Sequence, residues 1–418
     1  MFEPTVPTTS IKDLESLTKD HVKGRIVKHE VRPLTEVGEN FGSEIVVVDM
    51  TVEEDEKEHV VHAVAKLIPP TDMQQEIFNT KVTYKNEIGF YAEIVPALKL
   101  FQKEQGVANV AEVLDYFPEL YGARISLNPS SNDIDKDAVI LMENLKISGF
   151  KNLDRQNGFD LPTTKLVLKT FAKFQATVVG LKLKRPDIFE AKVKPYIYEW
   201  KSEPPFMTYD NVITENPETA HLAPRVARAL EKGKLRIKRI REPWATIIHN
   251  DAWVNNIMFK LSNEEVVDIK LVDFQIFDYA SPACDVIFFL LTSVQVPVLK
   301  YHFDKLLRFY YDEFISTLQL LRVDINPFTY ESFQEELKIE GPYQVYHSLF
   351  LLPVVFGPKG GFRKPPGKVR EWNPNGISNG SSSPATNGPP KPGAFKLTQQ
   401  CKEKLWYIVE EAAKRKWI

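Results

Sequence analysis

Three Val- and Ile-rich runs, GRIVKHEVRP, EIVVVDMTV and HVVHAVAKLI, occupy residues 24–68 and are parted by turn or charged segments. Such runs predict strands. Between the second and third lies EEDEKE (53–58), six charges in succession. Those charges cannot be buried cheaply, so a solvated hairpin tip is expected there. From residue 73 to 104 the period changes. Phe78, Val82, Ile88, Tyr91 and Val95 recur at roughly helical spacing, and Pro96 is expected to kink or end that helix. Residues 110–127 and 137–145 predict two more strands.

Beyond residue 160 the pattern becomes helical. Val167, Phe171, Phe174, Val178 and Leu181 define a buried helix face, with Thr163 or Thr164 as the cap. Residues 219–241 and 303–321 also predict helix. Two strand-like stretches between them, WATIIHND and VDIKLVDFQ, predict an embedded hairpin. Residues 357–394 hold 8 prolines and 8 glycines among many Ser and Asn. Such a segment buries too little apolar surface for a fixed fold, and a flexible loop is expected. An amphipathic helix follows at 397–416, with Leu397, Cys401, Leu405 and Ile408 on one face. Its basic end suits a helix C-terminus. The expected units are therefore a β-rich part (1–145), a helical part (146–356), an insert (357–394) and a C-terminal helix (395–418).

Composition narrows the chemistry. Over 418 residues the formal net charge is −3, without the basic excess expected of a nucleic-acid binder. Eight of the 19 glycines lie in the insert, so the rest of the chain is glycine-poor. It contains neither G-x-G-x-x-G nor G-x-x-x-x-G-K-[ST]. The two cysteines, Cys284 and Cys401, form no metal spacing or disulfide framework. The first residues do not read as a signal peptide. The most apolar stretch, Val286 to Leu299, is shorter than the about 20 residues of a membrane span. The expectation is a cytoplasmic protein with no membrane, nucleic-acid or obligate protein partner.

The chemistry concentrates in IIHNDAWVNNIMFK (247–260) and KLVDFQIFD (270–278). His249, Asp251 and Asn256 form H-x-D-x-x-x-x-N, and Asp273 follows 17 residues after Asn256 at the end of an apolar run. A carboxylate placed there needs a cation or hydrogen bonds to stay ionised. Two carboxylates and a carboxamide brought together match a Mg²⁺–phosphate site, because Mg²⁺ takes hard oxygen ligands and keeps waters and substrate phosphates. This is the pattern of kinase-type phosphoryl transfer. Asp251 would accept the proton of an attacking hydroxyl, Asn256 and Asp273 would hold the metal, and His249 would orient the loop. H-N-D and D-F-Q depart from the protein-kinase H-R-D and D-F-G, which disfavours protein substrates.

The same logic assigns partners upstream. Lys66, preceded by Val-Ala, would hold the ATP phosphates, and Glu87 is preferred over Glu93 to orient it. Gly38, Asn40, Gly42 and Ser43, between the first two strands, form the candidate phosphate loop. Glu143 to Leu145 forms the candidate hinge, whose backbone would meet adenine. Asp285 is expected to accept hydrogen bonds from the catalytic-loop backbone. Trp253 could stack on a flat substrate or simply pack.

The segments GENFGSE (38–44), AVAKLIPP (63–70), NEIGFYAEIVPAL (86–98), VILMENLKISGF (139–150), HNDAWVNNIMFK (249–260), VDFQ (272–275) and ACDVIFFLLTS (283–293) together resemble the ecdysteroid kinase-like family of insects, relatives of choline and aminoglycoside kinases. The resemblance implies a two-lobed α+β fold of protein-kinase type, ATP and Mg²⁺ as cofactors, and phosphorylation of a small-molecule hydroxyl. Ecdysteroids are among the family's substrates. Although Lys66, Asp251, Asn256 and Asp273 are all kept and catalysis is expected to be retained, four departures stand out: Asn250 where the family has Gly, Glu143-Asn144-Leu145 where it has E-D-L, Gln175 where it has His, and the Pro/Gly-rich insert at 357–394. They leave open a nucleotide-binding protein without catalysis, and a choline- or aminoglycoside-type acceptor stays open as well.

Overall fold

A computed structural model describes residues 11–34, 43–69, 71–77, 79–107, 113–198, 209–233, 240–357 and 397–418. The three Val/Ile runs form β1 (Arg25–Pro33), β2 (Glu44–Glu54) and β3 (Lys57–Leu67). With β4 (Leu120–Arg124) and β5 (Val139–Glu143) they build an antiparallel sheet of order β1-β2-β3-β5-β4. The charged run is the β2–β3 hairpin tip, where Asp55 and Glu56 both take positive φ (50° and 62°), the twist a two-residue hairpin turn needs. Alternation along β3 sends Ala63 and Ala65 into one core and leaves Lys66 for the opposite face. A short helix, α1 (Leu14–Thr18), packs close against β4. A Cβ on Gly122 would lie 1.9 Å from the Leu17 carbonyl oxygen, so only glycine fits there.

The helix expected over 73–104 is present with an irregularity. α2 (Asp72–Ile77) and α3 (Thr80–Gly89) lead into a π-helical turn, Phe90–Ile94, and then α4 (Val95–Glu104). Pro96 neither ends nor interrupts the helix. In the π turn the Val95 N–H bonds to the Phe90 carbonyl, and Pro96 falls in the first turn of α4, where a missing N–H is tolerated. Of the strand expected over 110–127, the described residues form β4, and 113–119 before it are irregular; 110–112 lie outside the described residues.

The helical part starts after β6 (Phe150–Lys151) with α5 (Leu161–Lys184). Its cap is Asp160, not Thr163 or Thr164. The Asp160 carboxylate accepts the Thr163 N–H, and the two threonines already lie inside the first turn. Short elements follow: α6 (Pro186–Ile188), a π turn (Phe189–Val193), a 3₁₀ turn (Lys194–Tyr196), α7 (Asp210–Glu215), α8 (Pro217–Ala220) and α9 (Ala223–Gly233). The two predicted strands do not pair with each other. β7 (Thr246–Ile248) pairs with β10 (Asp278–Ala280), and the hairpin joins β8 (Ile257–Ser262) to β9 (Glu265–Leu271). The 257–262 run carries the catalytic motif's tail and hides its strand character behind it. α10 (Ala283–Ser293), α11 (Val296–Leu320), α12 (Tyr330–Phe356) and α13 (Gln399–Lys414) complete the fold. Every residue of α10 is buried, which explains its unbroken apolar character. The expected flexible loop, apart from Gly357, lies outside the described residues up to 396.

α13 docks with Cys401, Leu405 and Ile408 buried, and with Lys404 buried among them. The Lys404 ammonium donates to the Val294 carbonyl (2.5 Å) and lies 3.5 Å from that of Leu290, at the C-terminal end of α10. Burial pushes its pKa down to about 7. A folded-state value below the unfolded one means that the unfolded chain binds the extra proton. Stability therefore falls as pH drops from about 10.5 to about 7 and then levels. Thermal melting across that range is expected to show a steeper pH dependence in the native chain than in Lys404→Met.

Candidate active site

Strand β3 and helix α3 bring two charges together. Lys66 Nζ lies 2.6 Å from Glu87 Oε2 and 2.7 Å from Asp273 Oδ1. Both Lys66 and Glu87 are buried, whereas the Asp273 side chain is 34% exposed and faces the open side. Burial opposes the lysine's charge, but Asp273 and Glu87 outweigh it and hold its pKa above the ordinary value. Tyr84, one turn before Glu87, donates its hydroxyl to the Lys66 carbonyl (2.7 Å) and ties α3 to the strand. Glu93 is not part of this cluster. It faces outward and pairs with Lys192 at 2.6 Å.

The Phe of D-F-Q holds this arrangement from below. Phe274 stacks on Phe90 with ring centroids 3.7 Å apart and planes within 8°. Phe117 and Phe174 meet it edge-on. Asp273 itself takes a positive φ of 67°, a conformation that persists in a non-glycine residue only where its surroundings impose it.

The loop after β7 is organised by Asp285 from the first turn of α10. Its Oδ2 accepts the His249 N–H (2.7 Å) and its Oδ1 accepts the Asn250 N–H (2.9 Å). Burial pushes Asp285 up to about 7 against these bonds. Gln175 Nε2 donates to the same carboxylate at 2.8 Å, while Gln175 Oε1 accepts the Tyr310 hydroxyl at 2.6 Å. The glutamine thus supplies both a donor and an acceptor within one buried chain. Asn250 keeps the turn: it adopts φ 65°, the region that Asn tolerates best after Gly. Its side chain adds a bond to the Ile276 carbonyl (3.1 Å).

His249 is buried, and its Nε2 donates to the Val272 carbonyl (2.9 Å), binding the loop to the approach of Asp273. Burial pushes its pKa down, which favours the neutral ring. Asn256 Nδ2 donates to both the carbonyl and the Oδ2 of Asp251, each at 2.9 Å. Burial, and next the Asp273 charge, push the Asp251 carboxyl well above the usual range, against side-chain hydrogen bonds from Asn256 and Trp253. Trp253 is buried in the core, so it packs beside Asp251.

At the candidate hinge, the Glu143 N–H is taken by the Glu119 carbonyl (2.8 Å), and its carboxylate accepts the Ser148 hydroxyl (2.6 Å). Leu145 is buried with Phe150 and Met258 beside Val272. Of the candidate phosphate loop, Ser43 directly precedes β2, and Gly38, Asn40 and Gly42 lie outside the described residues.

Sequence reasoning missed three contributors: Tyr84, the Phe90–Phe274 stack, and Asn152, which donates to the Asn255 and Ile257 carbonyls (2.8 and 3.2 Å) and steadies the loop from the β6 side. Only Phe90 carried a readable signal, at the i+3 position from Glu87.

The residues present suit a hard cation with few protein ligands. Asn256 spends its two amide protons on Asp251, which leaves its oxygen on the other side of the planar group. Asp273 offers a partly exposed carboxylate. Two oxygen ligands are what Mg²⁺ takes when waters and phosphates complete its shell.

This sheet-plus-helices arrangement, with a buried Lys–Glu pair above an Asp–Asn–Asp cluster, is a two-lobed α+β fold of protein-kinase type. A model of the ecdysteroid kinase-like family matches residues 37–323, and the chain belongs to that family. Among solved structures, a Ralstonia eutropha protein assigned as an aminoglycoside phosphotransferase is similar at 11% identity, over 96% of this chain and 97% of that one, with a TM-score of 0.45. An ethanolamine kinase of Plasmodium vivax is similar at 11% identity over 79% and 76% of the two chains (TM-score 0.36). A choline kinase of Cryptosporidium parvum is similar at 11% identity over 80% and 85% (TM-score 0.38). No curated protein matches the chain. Among the described residues, no helix is long and apolar enough to cross a membrane.

Proposed function

We propose that the chain is an ATP- and Mg²⁺-dependent kinase that phosphorylates a hydroxyl of a small molecule, with an ecdysteroid or a xenobiotic-derived alcohol as the acceptor. One observation carries this reading. Lys66, from the sheet, sits between Glu87 and Asp273 at 2.6 and 2.7 Å, although Asp273 is 207 residues away in the chain.

In this reading Glu87 holds Lys66 extended toward the nucleotide phosphates, with the Gly38–Ser43 loop over them and the backbone of Glu143 to Leu145 beside the adenine. Asn256 and Asp273 would hold the metal, which would supply positive charge to the phosphoryl group being transferred. Asp251 orients the acceptor hydroxyl and takes its proton, and its raised pKa suits that task. His249 and Asp285 position the loop. Gln175 and Asn250 keep the loop's hydrogen bonds made, which favours catalysis over mere nucleotide binding. The boundary between the two lobes is proposed after residue 145, and the protein is proposed to act in the cytoplasm.

The acceptor is tested by offering purified protein, ATP and Mg²⁺ a panel of ecdysteroids, plant-derived alcohols, choline and aminoglycosides, read by mass spectrometry. A product heavier by one phosphoryl group is expected from a neutral polycyclic or aromatic alcohol. Product from choline or an aminoglycoside alone would overturn the acceptor assignment and leave the chemistry standing.

A further inference from the structure

Helix α3 and the π turn after it present two opposed faces. Glu87, Phe90 and Tyr91, at i, i+3 and i+4, form the face turned to Lys66 and Phe274, while Gly89 and Glu93, again four apart, lie on the other side. That second face meets the segment 189–198 of the helical part. A Cβ built on Gly89 would lie 2.1, 2.3 and 2.5 Å from Cδ1, Cε1 and Cγ of Tyr196, so the tyrosine ring rests directly on the helix backbone. Lys192 closes on Glu93 at 2.6 Å, and Asn79, just before α3, lies 3.5 Å from the Tyr198 hydroxyl.

We infer that the segment 189–198 is a clamp that fixes the Glu87 helix against Lys66, with Tyr196 as its positioning residue. The helix is held on one face by Phe274, the neighbour of Asp273, and on the other by Tyr196, which belongs to the helical part. It cannot swing Glu87 away from Lys66 without losing one of these supports. The Lys66–Glu87 pair is accordingly assembled before any ligand arrives. The π turn fits this role, since single π turns inside helices recur at functional sites. What the clamp does for turnover rests on the kinase reading above. That it holds Lys66 does not.

The test measures acylation of Lys66 by a small amine-reactive ester in the ligand-free full chain, by peptide mass spectrometry, together with the KM for ATP and kcat. In the native chain Lys66 is buried and paired, and slow labelling is expected. Gly89→Ala pushes a methyl into the Tyr196 ring, and Lys66 labelling and the KM for ATP are expected to rise about tenfold, the fold-change of a modest overpacking cost. Tyr196→Ala, which loosens the support without wedging the helix, is expected to raise labelling about threefold by local opening. The double variant is expected to fall back to the Tyr196→Ala level, because the ring that the methyl strikes is gone.

Labelling unchanged in both single variants, or a double variant no better than Gly89→Ala, would overturn the clamp. If Gly89→Ala does not fold, Tyr196→Ala alone decides: raised labelling with an unchanged melting temperature supports the clamp, and unchanged labelling overturns it. If the native chain transfers phosphate to no acceptor, the kinase reading fails, and Lys66 labelling still decides the clamp.

Discussion

Asp251→Ala is expected to lower kcat by about 10²–10⁴, the usual contribution of a positioned general base, while ATP affinity stays near its native value. Asp251 is bonded to Asn256 and not to Lys66, so its removal leaves the Lys66–Glu87–Asp273 cluster in place. Steady-state kinetics with an accepted alcohol and nucleotide titration of the variant separate the two effects. The native pH profile adds a second reading. The base must be deprotonated to act, and burial raises its pKa. The acid limb of kcat is therefore expected above the ordinary carboxylate range, and it should vanish from the residual activity of Asp251→Ala. An acid limb within the ordinary range would contradict Asp251 as the group that the limb reports.

Lys66→Met is expected to lower kcat/KM by at least about 10²-fold and to destabilise the protein by about 3 kcal/mol, because removing one partner of a buried pair leaves the other uncompensated. Glu87 is fully buried, and Lys66 is its only charged neighbour of opposite sign within bonding distance among the described residues. The added change Glu87→Gln removes the stranded charge. Lys66→Met/Glu87→Gln is expected to recover much of the stability and none of the activity, since the cation is still missing. Chemical denaturation and turnover of the two variants test this. Recovery of activity in the double variant would show that Lys66 is not needed for transfer.

Much of this architecture was legible because it depends on local pattern. The Val/Ile runs of β1–β3 and the spacing of Val167 to Leu181 announce their elements, since burial of one face dictates the period. Lys66, Glu87, Asp251, Asn256 and Asp273 stand out in the sequence because the proposed phosphoryl transfer would demand those residue types in that order along the chain. The geometry puts Glu87 against Lys66, and Glu93 against Lys192.

What stayed hidden depends on long-range contact. Nothing near Pro96 signals that a π turn will absorb it. The β8 strand sits directly behind the catalytic loop, and its pairing with β9 is set by the hairpin between them. Gly89 reads as an ordinary helix glycine until Tyr196, more than one hundred residues later, is found lying on it. The sequence alone does not say what Asn250 and Gln175 do at their positions. Each turns out to keep a hydrogen bond, through an αL backbone in one case and an amide with both donor and acceptor in the other.

In the proposed kinase, Asp273, paired with Lys66, would have the role of holding the metal for phosphoryl transfer. Its most direct test is Mg²⁺-dependent transfer from ATP to an accepted alcohol by the native chain and by Asp273→Ala, with a chelator control. Transfer that requires Mg²⁺ in the native chain and is lost in the variant, while the variant still folds, is the expected result. Equal turnover in the two proteins would contradict it.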